Sequence, residues 1–344
     1  MKKLKPARLS PGDKVATVSL SWGGAGDEEI IWRYQQGKKR LEEVFGLEVI
    51  EMPHALKGSD YVYNHPEKRA EDLMTAFQDP SIQAIVANIG GNDSIRMLPY
   101  IDFDVIRNNP KIFIGYSDST ITHMIAYKAG ISTIYGPTLL VDFAENIEMH
   151  PYTIEHIKRT LFDNASIGEI LPAPEWTSEY LPWIETNKNT ARKYQANHGY
   201  ELLQGQGIAK GHLIGGCFEV FDELRGTDLF PSLDAFSDAI LFLETSEDKP
   251  NPITIECSLR IYGIMGILNR LNGVLWGKPQ DQAYYEEYKE AIKKVLAEFN
   301  CQDLPVLFNM NFGHTEPKIC LPYGAKAQID CSTASFSILE SGVK

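Results

Sequence analysis

The 344-residue sequence is poor in cysteine. Its five thiols, Cys217, Cys257, Cys301, Cys320 and Cys331, are odd in number and widely spread, and no C-x-x-C occurs. That spacing argues against a disulfide scaffold and a zinc ribbon, and it predicts a reducing, cytoplasmic compartment. Positive charge is also short. Lys+Arg is 33 against 46 Asp+Glu, a net charge of -13. No nucleic-acid polymer is expected as partner, although a single nucleotide in a local pocket fits this balance. No window reaches the ~18 apolar residues of a membrane helix. The start, Met1-Lys2-Lys3-Leu4-Lys5-Pro6, is basic but has no apolar run behind it, so neither a signal peptide nor a membrane partner is predicted. No G-x-x-x-x-G-K-[ST] occurs, which excludes a P-loop nucleotidase. The eight histidines are scattered without H-E-x-x-H spacing, so no metal is expected. There is no internal repeat and no low-complexity tract.

What is present is an ordinary globular composition. Hydrophobic residues are 43% and charged residues 23%. At ~100–200 residues per domain, the length suits one large or two ordinary domains. Short apolar runs at 15–20, 47–50, 82–87, 111–115 and 131–135 read as strands. Amphipathic stretches at 28–45, 66–77 and 119–129 read as helices between them. This alternation predicts an open parallel sheet with helices on its faces. Ligands bind such sheets at the carboxyl ends of the strands.

From about 163 to 206 the texture changes. This segment is rich in Pro, Asn, Gln, Tyr and Trp and has little periodicity. It reads either as a functional loop or as a linker. After 207 a second pattern begins. Residues 208–214 look like a strand, Gly215-Gly216 like a turn and 217–224 like a short helix. Further strands are predicted at 239–243, 273–277, 305–308 and 327–330, with helix in parts of 255–270 and across 282–299. The expected domains are 1–162, a connecting segment 163–206, and 207–344.

Four segments carry chemistry. Gly115-Tyr116-Ser117-Asp118 joins a strand to a helix, the layout of a nucleophile elbow. The second glycine of G-x-S-x-G is replaced by Ser119, and Ser117 or Asp118 as a plain helix cap is the alternative. Gly90-Gly91-Asn92-Asp93 follows the third strand, and paired glycines let backbone amides approach a ligand. Glu244 ends a strongly apolar strand. His314 lies in a glycine-containing loop after another strand. Together they supply nucleophile, orienter and base in the order Ser…Glu…His. Gly23-Gly24-Ala25-Gly26 is at most half a dinucleotide fingerprint, and Asp27, Glu28 and Glu29 behind it would repel a pyrophosphate.

At these residues the chain resembles the serine peptidase family of L,D-carboxypeptidases and microcin-C immunity peptidases. The resemblance rests on Gly90-Gly91-Asn92-Asp93, Gly115-Tyr116-Ser117-Asp118, Gly136-Pro137, Gly215-Gly216, Leu243-Glu244 and Gly313-His314, and it spans almost the whole chain. It implies an α/β fold: an N-terminal open parallel sheet with flanking helices, plus a smaller C-terminal α/β domain with a β-rich core. It implies Ser117 as nucleophile, His314 as general base, Glu244 as its orienter, and the backbone N–H groups of Gly91 and Asp118 as oxyanion hole. It also implies that no metal or cofactor is used, and a cytoplasmic homodimer. Cys217 departs from the pattern, which often has Asn there. Substrate preference is open at that position, and a buried helix residue is the other reading of Cys217.

Two substrate classes compete: an amide of a peptide or amino acid with a nucleotide-like group, as in microcin detoxification, and a murein tetrapeptide. The aromatic segment favours the first. Trp183 or Trp176 would stack on a base, worth ~1–3 kcal/mol. Asn92 and Lys249 are further candidate contacts, Lys249 for a phosphate or carboxylate. Trp183 is preferred because Pro182 stiffens the chain before it. The alternative role for both tryptophans is packing between the domains. A non-catalytic protein that sequesters its ligand is the remaining alternative.

Overall fold

The computed structural model describes residues 3–344. Met1 and Lys2, part of the basic start noted above, lie outside the described residues. The chain builds a mixed α/β structure of two domains around two sheets. Five strands of the first sheet are parallel, in the spatial order Ile134–Tyr135, Ile112–Gly115, Ile82–Ala87, Lys14–Val18 and Glu48–Glu51. The central ones are buried along their length, the signature of a sheet covered on both faces. Helices Ile31–Phe45, Pro66–Gln78 and Ser119–Ala129 connect and cover it. The 28–45 helix starts at Ile31, because Gly24–Gly26 forms a short 3-10 turn first.

The second sheet has eight strands. Its centre is parallel: Ile208–Cys217, Ala239–Glu244, Leu271–Gly277 and Val306–Met310. Lys326–Asp330 and Ser335–Ile338 extend it antiparallel. Gly215-Gly216 is not a turn. Both residues lie inside Ile208–Cys217, in register with Phe242 and Leu243. The glycines serve a close approach instead. A Cβ on Gly216 would lie 2.6–2.7 Å from the Thr120 side chain, where the second sheet meets helix Ser119–Ala129. Thr120 Oγ1 there accepts the Cys217 N–H at 3.1 Å.

The 163–206 segment is more than a loop. Glu201–Gln204 pairs with Val306–Met310 at one edge of the second sheet, and Gly168–Glu169 pairs with Ser335–Ile338 at the other. Chain is also lent in the opposite direction. Leu321–Pro322, from the C-terminal region, adds antiparallel to Ile134–Tyr135 and completes the first sheet. The stretch 311–320 therefore runs from one sheet to the other and carries His314 between them.

Candidate active site

Strand Ile112–Gly115 ends at Gly115, and helix Ser119–Ala129 begins four residues later. The turn is tight enough to put Ser117 at φ 61. A non-glycine residue in that region costs on the order of 1–3 kcal/mol and needs surrounding structure to hold it. That strain is what an elbow of this kind stores. The hydroxyl it presents lies 3.1 Å from Nε2 of His314. Nδ1 of the same ring lies 2.8 Å from Oε2 of Glu244. Glu244 is the last residue of Ala239–Glu244 and is fully buried. Three segments far apart in sequence thus form one hydrogen-bonded line.

Tyr135 closes the line, and nothing in the sequence singled it out. Its hydroxyl donates to Glu244 Oε1 at 2.5 Å and accepts the Ser117 N–H at 3.2 Å. The ring of Tyr116 packs edge-on against His314, centroids 4.9 Å apart. Burial alone would push His314 down. The carboxylates of Glu244, Glu247 and Glu219 outweigh it and hold the imidazole above its ordinary value of 6.5. Burial would raise Glu244, but His314, Tyr135 and Lys318 hold it below the usual carboxylate value.

The two glycines stand against the elbow. A Cβ on Gly90 would lie 2.8 Å from Ser117 Cβ and 3.2 Å from the Asp118 nitrogen. Asp118 Oδ2 accepts the Ser94 N–H at 2.9 Å, and Ser94 Oγ donates to the Asp118 carbonyl at 3.1 Å. Asp93 is held by Arg69, a buried cation 2.7 Å away. The turn that carries Gly91 is therefore tied to the elbow that carries Asp118. Asn92 is exposed on that turn.

The proposed substrate contacts fare unevenly. Trp176 requires a correction: it is 1% exposed and packs under the Lys278 ammonium, 4.8 Å from its ring, so it has no face to offer a base. Lys249 is engaged already, at 2.5 Å from Asp281 Oδ2. Trp183 is half-buried. It stacks on Trp22 with centroids 6.2 Å apart, and the Arg33 guanidinium lies 4.7 Å from its centroid. Trp22 is 38% exposed, and its backbone N–H donates to the Gly90 carbonyl at 3.1 Å. Sequence reasoning passed over Trp22, although it directly precedes Gly23-Gly24, four residues beyond the end of the first strand. Cys217 is buried, with its thiol pushed well up by burial, but it ends strand Ile208–Cys217 and precedes helix Phe218–Glu223, so it is buried without being a helix residue.

Behind the line lies a buried chain of charges. Lys318 reaches Asp142 at 3.0 Å and Glu316 at 2.6 Å, and Glu316 reaches Arg192 at 2.8 Å. Arg192 continues to Glu145. Among the described residues, no group of three or more His, Cys, Asp or Glu side chains is placed to hold a metal ion. A surface cavity of about 620 Å³ is lined by Arg8, Phe45, Lys158 and Phe162 among others, and none of Ser117, Glu244 or His314 borders it.

Known proteins share both the domains and their order. Residues 15–136 match the LD-carboxypeptidase N-terminal domain, and residues 210–329 match the LD-carboxypeptidase C-terminal domain. The microcin C7 self-immunity protein MccF of Escherichia coli is 29% identical over 276 residues, 80% of this chain and 78% of its own. The structure of MccF with aspartyl sulfamoyl adenosine superposes with a TM-score of 0.87 at 26% identity, covering 99% of this chain and 100% of that one. An MccF-like protein from Streptococcus pneumoniae, in complex with AMP, has a TM-score of 0.87 at 36% identity over 95% of this chain and 98% of that one. The murein tetrapeptide carboxypeptidase of Pseudomonas aeruginosa is 30% identical over 297 residues, 85% of this chain and 86% of its own. Matched in both domains and along most of its length, the chain belongs to the LD-carboxypeptidase family of serine peptidases.

Proposed function

We propose that this enzyme hydrolyses the amide bond between an aminoacyl or peptidyl group and a nucleotide-like group, with Ser117, His314 and Glu244 as its catalytic triad. The observation that carries the reading is the unbroken line Ser117–His314–Glu244 at 3.1 and 2.8 Å. In the first step Ser117 Oγ bonds to the acyl carbon while Nε2 of His314 takes the hydroxyl proton. The carbonyl π pair moves onto oxygen. The N–H groups of Gly91 and Asp118 receive that oxyanion, and each such donor is worth about 10²–10³ in kcat. Collapse expels the leaving nitrogen, which takes the proton from Nε2. Water then repeats the sequence on the acyl-enzyme. Glu244 stays ionised and steadies the imidazolium, and Tyr135 holds Glu244.

Support for a nucleotide-linked leaving group comes from two sides. One relative is bound to AMP and another to aspartyl sulfamoyl adenosine. In this chain, the Trp22–Trp183 pair is tied to the Gly90 turn by the backbone bond of Trp22 to Gly90, which suits a base stacked near the reacting carbonyl. Murein trimming is the second reading, favoured by the 30% identity to a murein tetrapeptide carboxypeptidase. Parallel assays on an aminoacyl sulfamoyl adenosine and a muropeptide tetrapeptide decide between them. Ser117→Ala is expected to cut kcat by several orders of magnitude on the true substrate with the fold intact. Substantial turnover in the folded variant would remove Ser117 from the mechanism. The same reading makes the enzyme a cytoplasmic homodimer, and light scattering tests the pairing.

A further inference from the structure

We propose that Glu247 recognises a free α-ammonium on the acyl part of the substrate, so that the enzyme selects unblocked aminoacyl amides over N-acylated peptides. The inference rests on the reading above and narrows its substrate class.

Glu247 follows the strand that ends in Glu244, and its side chain is 65% exposed. Its Oε2 nevertheless lies 3.1 Å from His314 Nε2, as far as Ser117 Oγ lies from the same nitrogen. Nε2 has one valence to offer. In the form ready to act as base, the ring carries its proton on Nδ1, toward Glu244, and its Nε2 lone pair faces the serine hydroxyl. Glu247 then looks at a lone pair and has no donor from the ring. A donor brought by the substrate would fill that place.

The distances say which substrate atom is near. Ser117 Oγ and Glu247 Oε2 are at most two such steps apart. The attacked carbon sits within about 3–3.5 Å of Oγ. The α-nitrogen of an acyl residue is two bonds from that carbon, each about 1.5 Å. The amine is therefore close enough to the reacting carbon for Glu247 to reach it.

Charge agrees with geometry. Glu244, Glu247 and Glu219 all act on His314, and Asp118 acts on Glu223 close by. The nearby cations are themselves paired with other carboxylates: Lys249 with Asp281, and Lys318, which also acts on Glu244, with Asp142 and Glu316. The loop itself is fixed. The Ser246 N–H and Oγ both donate to Glu219 Oε1, at 2.9 and 2.5 Å, and Lys249 anchors the other side. Glu247 is thus an exposed carboxylate on a held backbone, in a negative field, beside the reacting centre.

The test uses alanyl sulfamoyl adenosine and its N-acetyl twin at pH 7, where the α-amine is mostly protonated. The wild type is expected to prefer the free amine in kcat/KM by about tenfold to hundredfold, the span of one charge-assisted hydrogen bond. Glu247→Gln is expected to bring that ratio close to one, chiefly through KM for the free amine. A ratio unchanged in Glu247→Gln overturns the proposal. So does an equal loss on both twins with a displaced pH profile, which would mean that Glu247 acts through His314 alone. If the wild type cleaves neither twin, the nucleotide-linked reading has failed, and the same ratio on alanyl p-nitroanilide and its N-acetyl twin decides the role of Glu247 by itself.

Discussion

A single hydroxyl, that of Tyr135, touches both ends of the Ser117–Glu244 line. In the sequence it is the last residue of an apolar run and looks like core. A buried tyrosine needs a partner for its O–H, but the partner is 109 residues away, and no local pattern points to it. Ser117, Glu244 and His314 were legible because each stands at or just beyond the end of a strand, where such sheets place their chemistry. Tyr135→Phe leaves Glu244 Oε1 and the Ser117 N–H without partners. Each buried orphan costs about 1–3 kcal/mol. The variant is expected to unfold at lower denaturant and to lose about tenfold in kcat. Unchanged values of both would make the hydroxyl a bystander. On the proposed mechanism the pH profile is set by His314, which must be neutral to take the serine proton. Its neighbours hold it above 6.5, so kcat/KM is expected to rise with pH through a midpoint above that value and to level off beyond it. A midpoint at or below 6.5, with chemistry rate-limiting, would contradict the balance of charges around the ring.

At the scale of elements, periodicity located the central strands and the long helices. It failed where glycine and short pairings decide. Gly215-Gly216 carries the composition of a turn, yet it runs straight through a strand because Thr120 stands where a side chain would be. The strands of the 163–206 segment are two to four residues long, too short for any period to show. Gly168–Glu169 and Glu201–Gln204 are held at the two edges of the second sheet by partners more than a hundred residues away, while Glu175–Trp176 and Gln195–Ala196 pair with each other as a small separate ribbon. Trp176 sits in that ribbon, buried under the Lys278 ammonium, a placement that no local period announces. Trp183, in the same segment, remains able to meet a ligand alongside Trp22. Trp183→Ala is expected to lower kcat/KM for an aminoacyl-nucleotide amide by about ten- to hundredfold. A small amide without a base should change little. Equal losses on the two substrates would mean that the ring only packs against Trp22 and Arg33.

For the whole molecule, the two sheets are bound by exchange of chain and by buried charge. Lys318 lies on the stretch that carries His314, and its partner Asp142 lies in the N-terminal half. Lys318→Met takes the cation from buried Asp142 and leaves Glu316 to Arg192 alone. Breaking a buried pair in this way costs about 3–5 kcal/mol, so urea unfolding should shift by that amount. A shift under about 1 kcal/mol would show that the network carries little of the fold. The route of 311–320 from one sheet to the other has a further consequence, for the order of biosynthesis. Ser117 and His314, its proposed base, are 197 residues apart. At about 5–20 residues per second, a ribosome needs about 10–40 s to add the second after the first. During that interval the elbow has no proton acceptor, and the edge of the first sheet lacks the strand that will cap it. Chains released before Val306 should therefore expose an open sheet edge and an inert serine, and hydrolytic activity should appear only when the stretch from His314 to Pro322 has left the tunnel.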